Sequence, residues 1–287
     1  MIVSIIGVGL IGGSIGLAIK EFRIKNSELR IQKIIGIGRN LERLKDVKKL
    51  GAVDEITTDI KEGVKDADIV FVCLPVNIIA KTVKSIIPFC KKGAIITDVG
   101  SVKEPIVDDI EKILTTYRRL KPATTPLTTA FIGGHPIAGS EKTSARYASV
   151  ELFKNAAVIL TPSKKTDSKT LKTIEKIWQN MGAKVRTMTP AKHDEIISFT
   201  SHLPHAVAFA LVNSVDNFEF AGSGFKDTTR IASSDSKMWA EIIFNNRTNV
   251  RQSIQKFKKE LSKIEKAKTA EELLKIFREA KEKRDIL

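Results

Sequence analysis

One turn near the start of the chain limits its fold more than any other stretch. Residues 1–6, Met-Ile-Val-Ser-Ile-Ile, read as a buried strand. They run directly into Gly7-Val8-Gly9-Leu10-Ile11-Gly12, with Gly13, Ser14 and Gly16 beyond and a helical pattern to about residue 22. A lone GxGxxG is weak evidence, but one that closes a strand and opens a helix gives each glycine a physical duty. Gly7 makes the tight turn, Gly9 lets the backbone approach a pyrophosphate, and Gly12 allows close helix–strand packing. The helix N-terminus around Leu10 and Ile11 offers donors and positive dipole to the phosphates. The expectation is an α/β fold that begins with a Rossmann-type dinucleotide-binding domain.

Later strand patterns extend that domain. The second, over residues 33–38, ends in Gly36-Ile37-Gly38-Arg39-Asn40. An NAD-preferring site places an acid near this point for the adenosine ribose hydroxyls. Here Gly38 removes a carboxylate that would repel a 2′-phosphate, and the Arg39 guanidinium can bind one. The pattern leans to NADP over NAD, although Arg39 also reads as a solvated loop charge. Residues 67–75 read as a buried parallel strand whose end, at Leu74 and Pro75, lies over the cofactor. Residues 94–98 form another, ending in Val99-Gly100-Ser101-Val102-Lys103, at a carboxyl end where α/β sheets bind ligands. Ser101 fits an N-cap of the next helix or a hydroxyl on the nicotinamide side. Strand patterns at 130–133, 156–160 and 184–188 and a helix at 171–181 complete a first domain over residues 1–188. From residue 189 to 287 the pattern is long helices without strand alternation, an all-α second domain.

Composition narrows the function. The 287 residues carry a net charge of +15, but the lysines are spread among acids and aromatics are only 6%, which argues against nucleic-acid binding. A basic field that attracts anionic substrates and cofactors is the milder inference. No apolar run reaches the roughly 20 residues that span a membrane, and no basic leader precedes the first strand. Cys73 and Cys90 sit in apolar patterns, so a reducing, cytoplasmic setting without disulfides is expected.

The candidate chemistry lies in polar segments. His135 stands in Gly133-Gly134-His135-Pro136-Ile137-Ala138-Gly139-Ser140-Glu141, read as a loop whose glycines leave a core side chain nothing to lean on. Such a histidine suits proton handling near neutral pH, or a turn in which the ring caps a carbonyl. His202 and His205, three apart in Ser201-His202-Leu203-Pro204-His205, share a helix face if Pro204 only kinks the helix. That spacing permits a zinc pair, but no Cys or HExxH context supports one and hydride transfer needs no metal. Arg230 suits bidentate capture of a carboxylate, or a salt bridge to Asp227 or Asp235.

Together GVGLIGGSIG, DVGSVK, GGHPIAGSE, HDEIISFTSHLPH and GFKDTTRIASSDSKMW resemble the prephenate dehydrogenase family of tyrosine biosynthesis, over residues 1 to about 246. The resemblance implies oxidative decarboxylation of prephenate with hydride transfer to NAD(P)+. It implies that His135 accepts a hydrogen bond from the C4 hydroxyl and that Ser101 orients this pair and the nicotinamide. It implies that Arg230 binds a substrate carboxylate, that His205 lies near the substrate, and that Glu141 lines the entrance. It also implies an interlocked homodimer built by the helical domain. Arogenate is the rival substrate, with the pyruvyl side chain replaced by an amino acid. A β-hydroxyacid dehydrogenase would use a lysine such as Lys192, and a nucleotide-sensing protein would have lost catalysis.

Overall fold

Strands alternate with helices as far as residue 187, and only helices follow among the described residues of this computed structural model, which are 1–25, 29–120, 129–139 and 144–286. The first part runs β1 (Ile2–Ile6), α1 (Leu10–Lys25), β2 (Lys33–Ile37), α2 (Leu41–Lys49), β3 (Glu55–Thr57), α3 (Ile60–Val64) and β4 (Ile69–Val72). It continues with α4 (Val76–Ile86), β5 (Ile95–Asp98), α5 (Glu104–Leu120), β6 (Ala130–Pro136), β7 (Ala157–Pro162), α6 (Ser168–Asn180) and β8 (Lys184–Thr187). The second part holds α7 (Pro190–Ile197), α8 (Leu203–Asn213), α9 (Ser223–Thr229), α10 (Ser236–Asn245), α11 (Arg247–Lys266) and α12 (Ala270–Asp285).

The strands make one sheet in the order β3-β2-β1-β4-β5-β6-β7-β8. All pairs are parallel except β6 with β7. The first six strands thus follow the doubly wound order whose ligand crevice opens where the winding reverses, beyond the carboxyl ends of β1 and β4. Period-two alternation sends successive side chains to opposite faces. Val3, Ile5 and Phe71 join Ile15, Ile19, Ile177 and Trp178 from α1 and α6 on one face. Ile6, Val70, Val72 and Ile96 join Ile79, Val83, Ile106 and Ile110 from α4 and α5 on the other. Trp239 and Ile242 of α10 extend this second core, and Asn77 donates to Glu241 at 2.9 Å. The helical part is therefore packed onto the α/β part beside the crevice.

Two expectations change here. First, β6 does not stop at residue 133 but runs to Pro136, because β7 pairs antiparallel along its end, with His135 opposite Ile159. Second, the run Pro190–Asn213 is long and apolar enough to cross a membrane by length and composition. Its His193, Asp194 and His202 are nevertheless buried, and the first two are hydrogen-bonded to the α/β part.

Candidate active site

The glycine turn has the geometry its spacing predicts. Gly7 sits at φ +88°, and a Cβ there would lie 2.3 Å from the Cys73 carbonyl oxygen. A Cβ on Gly12 would lie 2.4 Å from the Gly7 oxygen, so α1 packs this close to β1 only without a side chain. Leu74 leans on the turn, and Pro75 caps α4. The first turn of the 16-residue α1 holds no acidic residue, so its dipole is left for an anion. At the end of β2, Arg39 is exposed and has no hydrogen bond or ion pair among the described residues. An open helix N-terminus at the switch point and a free cation beside it fit a dinucleotide.

Beyond the end of β5 lies a buried polar cluster. Asp98 and Lys103 are both fully buried and form an ion pair, and the Lys103 ammonium also donates to the Gly134 carbonyl at 2.9 Å. Asp98 accepts backbone N–H groups from Gly100 (2.8 Å) and Gly134 (3.1 Å). Burial lowers the Lys103 pKa, opposed by Asp98. Ser101, partly exposed between these groups, makes no side-chain hydrogen bond among the described residues. It does not cap α5. Asp194 of α7 does so instead, accepting the N–H groups of Lys103 (2.8 Å) and Glu104 (2.9 Å).

His135 is a strand residue and 8% exposed, not a loose loop residue. The glycines before it serve close packing. A Cβ on Gly133 would lie 2.3 Å from Thr161 Oγ1, and one on Gly134 would lie 2.7 Å from the Asp98 carbonyl oxygen. The His135 ring meets His193, with Nδ1 2.8 Å from His193 Nε2. The other His193 nitrogen, Nδ1, lies 2.7 Å from Asp194 Oδ1. Burial holds the His135 pKa well below the usual histidine value, with His193, Lys103 and His202 adding to the effect. Burial also lowers that of His193, opposed by Asp194. Both rings are neutral at neutral pH.

A π-helical turn, Ser198–His202, between α7 and α8 holds the first two residues of the SHLPH segment, and the other three begin α8; such a distortion is common at functional sites. His202 is fully buried, 3.1 Å from Asn246 Nδ2 through Nδ1, and burial pushes its pKa down to about 4. His205 stacks on Trp239 with ring centroids 3.4 Å apart. Its Nδ1 donates to the Ser201 carbonyl at 3.0 Å, leaving Nε2 as an acceptor. Burial lowers the His205 pKa, and nearby Arg230 lowers it further. Arg230 itself is exposed and forms no salt bridge to Asp227 or Asp235 among the described residues.

His205 lies near Arg230, His135 lies near His193 and His202, and Ser101 lies near His202, whereas Glu141 lies outside the described residues. Lys192 is exposed and paired with Glu195 at 2.9 Å, which takes the β-hydroxyacid reading's lysine away from the cluster. Sequence reasoning missed the roles of Asp98, Lys103, His193, Asp194 and Trp239. Each lies inside a quoted motif, but only burial and pairing reveal its partner.

A dinucleotide-binding sheet with a buried neutral histidine and a free arginine defines a nicotinamide-dependent oxidoreductase of the two-domain type. Residues 23–187 match the prephenate dehydrogenase nucleotide-binding domain, and residues 189–279 match the prephenate dehydrogenase dimerization domain. The chain belongs to the prephenate dehydrogenase family. It is 36% identical to the prephenate dehydrogenase of Bacillus subtilis strain 168, over 97% of this chain and 74% of that protein. The structure of A. aeolicus prephenate dehydrogenase with hydroxyphenyl propionate and NAD+ is 38% identical, with TM-score 0.87, 99% of this chain and 97% of that chain covered. Synechocystis arogenate dehydrogenase is 27% identical with TM-score 0.80, covering 99% of both chains.

Proposed function

We propose that this chain oxidises and decarboxylates prephenate to 4-hydroxyphenylpyruvate and carbon dioxide. The observation that carries the reading is His135, a neutral imidazole at the edge of the dinucleotide crevice. The bound nicotinamide supplies the chemistry of accepting hydride from C4 of the ring. His135 accepts the proton of the C4 hydroxyl as that carbon becomes a carbonyl, and a neutral ring suits the task. Loss of the ring carboxylate as carbon dioxide then aromatises the ring, and the proton returns to the oxygen. Ser101, its hydroxyl free at the end of β5, orients the histidine and the nicotinamide. Arg230 takes a substrate carboxylate, and His205 is held near the substrate by its stack on Trp239. Glu141 is assigned to the entrance by resemblance.

Gly7, Gly9, Leu10, Ile11 and Gly12 hold the pyrophosphate in this reading, with Leu74 and Pro75 over the crevice. Gly38 and the unpaired Arg39 support NADP over NAD. Arg230 and the Nε2 of His205 support a keto acid over an amino acid, since Arg230 offers a group for an anion or a carbonyl and neither is paired with a carboxylate among the described residues. The domain boundary is placed between residues 188 and 189. The helical domain pairs two copies in a cytoplasmic homodimer, and exposed Phe218, Phe220, Phe244, Leu261 and Phe277 supply apolar surface for it. No nucleic acid or membrane enters the reading. Steady-state rates with prephenate and with arogenate, each with NAD+ and NADP+, test it. A higher specificity constant for arogenate overturns the substrate, and a protein that binds nucleotide but turns over neither overturns the activity.

A further inference from the structure

We propose that His193 and Asp194 fix the tautomer of His135, so that its lone pair stands on Nε2 and this nitrogen receives the substrate proton. The inference rests on His135 being the proton acceptor of the reading above. It begins with groups whose hydrogen-bonding sense cannot reverse. Backbone N–H groups only donate, and those of Lys103 and Glu104 occupy both oxygens of Asp194. The carboxylate is therefore an acceptor, and His193 Nδ1, 2.7 Å from Oδ1, must carry a proton toward it. A neutral imidazole has one ring proton, so His193 Nε2 presents a lone pair. His135 Nδ1 lies 2.8 Å from that lone pair and must donate to it. The only lone pair left on His135 is at Nε2.

The chain of bonds is sealed. His193 is fully buried, Asp194 is 1% exposed and His135 is 8% exposed. The charged and titratable groups that act on it are Lys103 and Asp98 at the end of β5 and His202 from the π turn. Burial, Lys103 and His202 hold His135 neutral, and at His193 burial outweighs Asp194 and Asp98, which favour the charged ring. His193 and Asp194 are thus positioning residues. The same carboxylate anchors the helix that follows the Ser101 segment, so one side chain sets both the histidine and the serine side of the site. An orienting carboxylate plays this part in the Ser-His-Asp triad, where its change to the amide leaves the wrong tautomer.

The test combines spectroscopy with kinetics on the full chain. In protein labelled with ¹⁵N-histidine, two-bond ¹H–¹⁵N correlations report which nitrogen of each ring is protonated. His135→Asn and His193→Asn assign the two rings. The expected result is an Nδ1–H tautomer for both. In Asp194→Asn an NH2 turned on His193 reverses both rings and also faces the Lys103 N–H, while the amide oxygen keeps only the Glu104 N–H. The kcat should then fall about 100-fold or more while KM changes little. His193→Leu should lose as much. His193→Gln, whose amide offers both an acceptor and a donor, should stay within about tenfold of wild type. An Nε2–H tautomer on His135 in the wild type, or wild-type kcat in His193→Leu, overturns the proposal. Both Nδ1–H tautomers in an enzyme that turns over no prephenate would support the relay and overturn the substrate assignment instead.

Discussion

Replacing His202 with Gln and following stability from about pH 7.5 to about pH 4.5 isolates one buried proton site. The ring is fully buried and receives the Asn246 amide on Nδ1 at 3.1 Å. Burial, aided by His193 and His205 and opposed by Asp194, holds its pKa at about 4, against about 6.5 for a free histidine. Between those values the unfolded chain binds a proton that the folded chain refuses. Stability from this group is therefore complete above about pH 6.5 and is lost as pH falls toward about 4. A shift of about 2.5 units, at 1.36 kcal/mol each, sets the loss at about 3 kcal/mol, with a slope near 1.4 kcal/mol per pH unit at its steepest. His193 and His135 are depressed in the same direction and are present in both proteins, so they cancel in the difference apart from their coupling to His202. Urea unfolding at fixed protein concentration, read by tryptophan fluorescence, supplies the curves. The Gln variant should be weaker than wild type near pH 7.5 by about 1 kcal/mol, for a poorer hydrogen bond, and stronger near pH 4.5. Parallel curves, or a difference that grows in the wild type's favour on acidification, would refute the argument.

His135→Asn should fold and bind the dinucleotide while kcat falls by about two to four orders of magnitude, and near-normal turnover would make the ring structural. The acid limb of the kcat/KM profile should lie below the usual histidine range, because burial lowers the His135 pKa; a limb above about pH 6.5 would contradict this. Gly38→Asp should shift the ratio of specificity constants toward NAD+, its Cβ lying 3.2 Å from a movable Leu44 methyl; an unchanged ratio means that Arg39 points away from the ribose. Arg230→Ala should chiefly raise KM for prephenate, since its cationic contact is made in the ground state, and a pure kcat loss would place the guanidinium on the transition state.

Much of the fold was legible because its signals are local. The β1–Gly7–α1 junction needs only glycines at set spacing, and the apolar runs of β4 and β5 report burial on both faces. The change at Thr189-Pro190 is where strand alternation ends, with Thr189 accepting from Lys192 N–H at 3.2 Å as the cap of α7. The short β3, α2 and α3 were not singled out, because three to nine residues carry little periodicity. In the site, the identities of His135, Ser101 and Arg230 were legible from motifs, but their surroundings were not. The Gly133-Gly134 pair reads as looseness in one dimension, yet in the fold it lets Thr161 and Asp98 approach from neighbouring strands.

The sequence by itself determined the dinucleotide domain, the helical second part and the residue types available for proton and carboxylate chemistry, because spacing and periodicity act over a few turns of chain. The tertiary structure alone decided that His135 is a buried strand residue, that Asp194 rather than Ser101 caps α5, and that His193 stands between them. Those facts join residues 58 and 91 positions apart. Pairing over such separations depends on how α7 packs against the end of the sheet, and no local pattern in the chain encodes it.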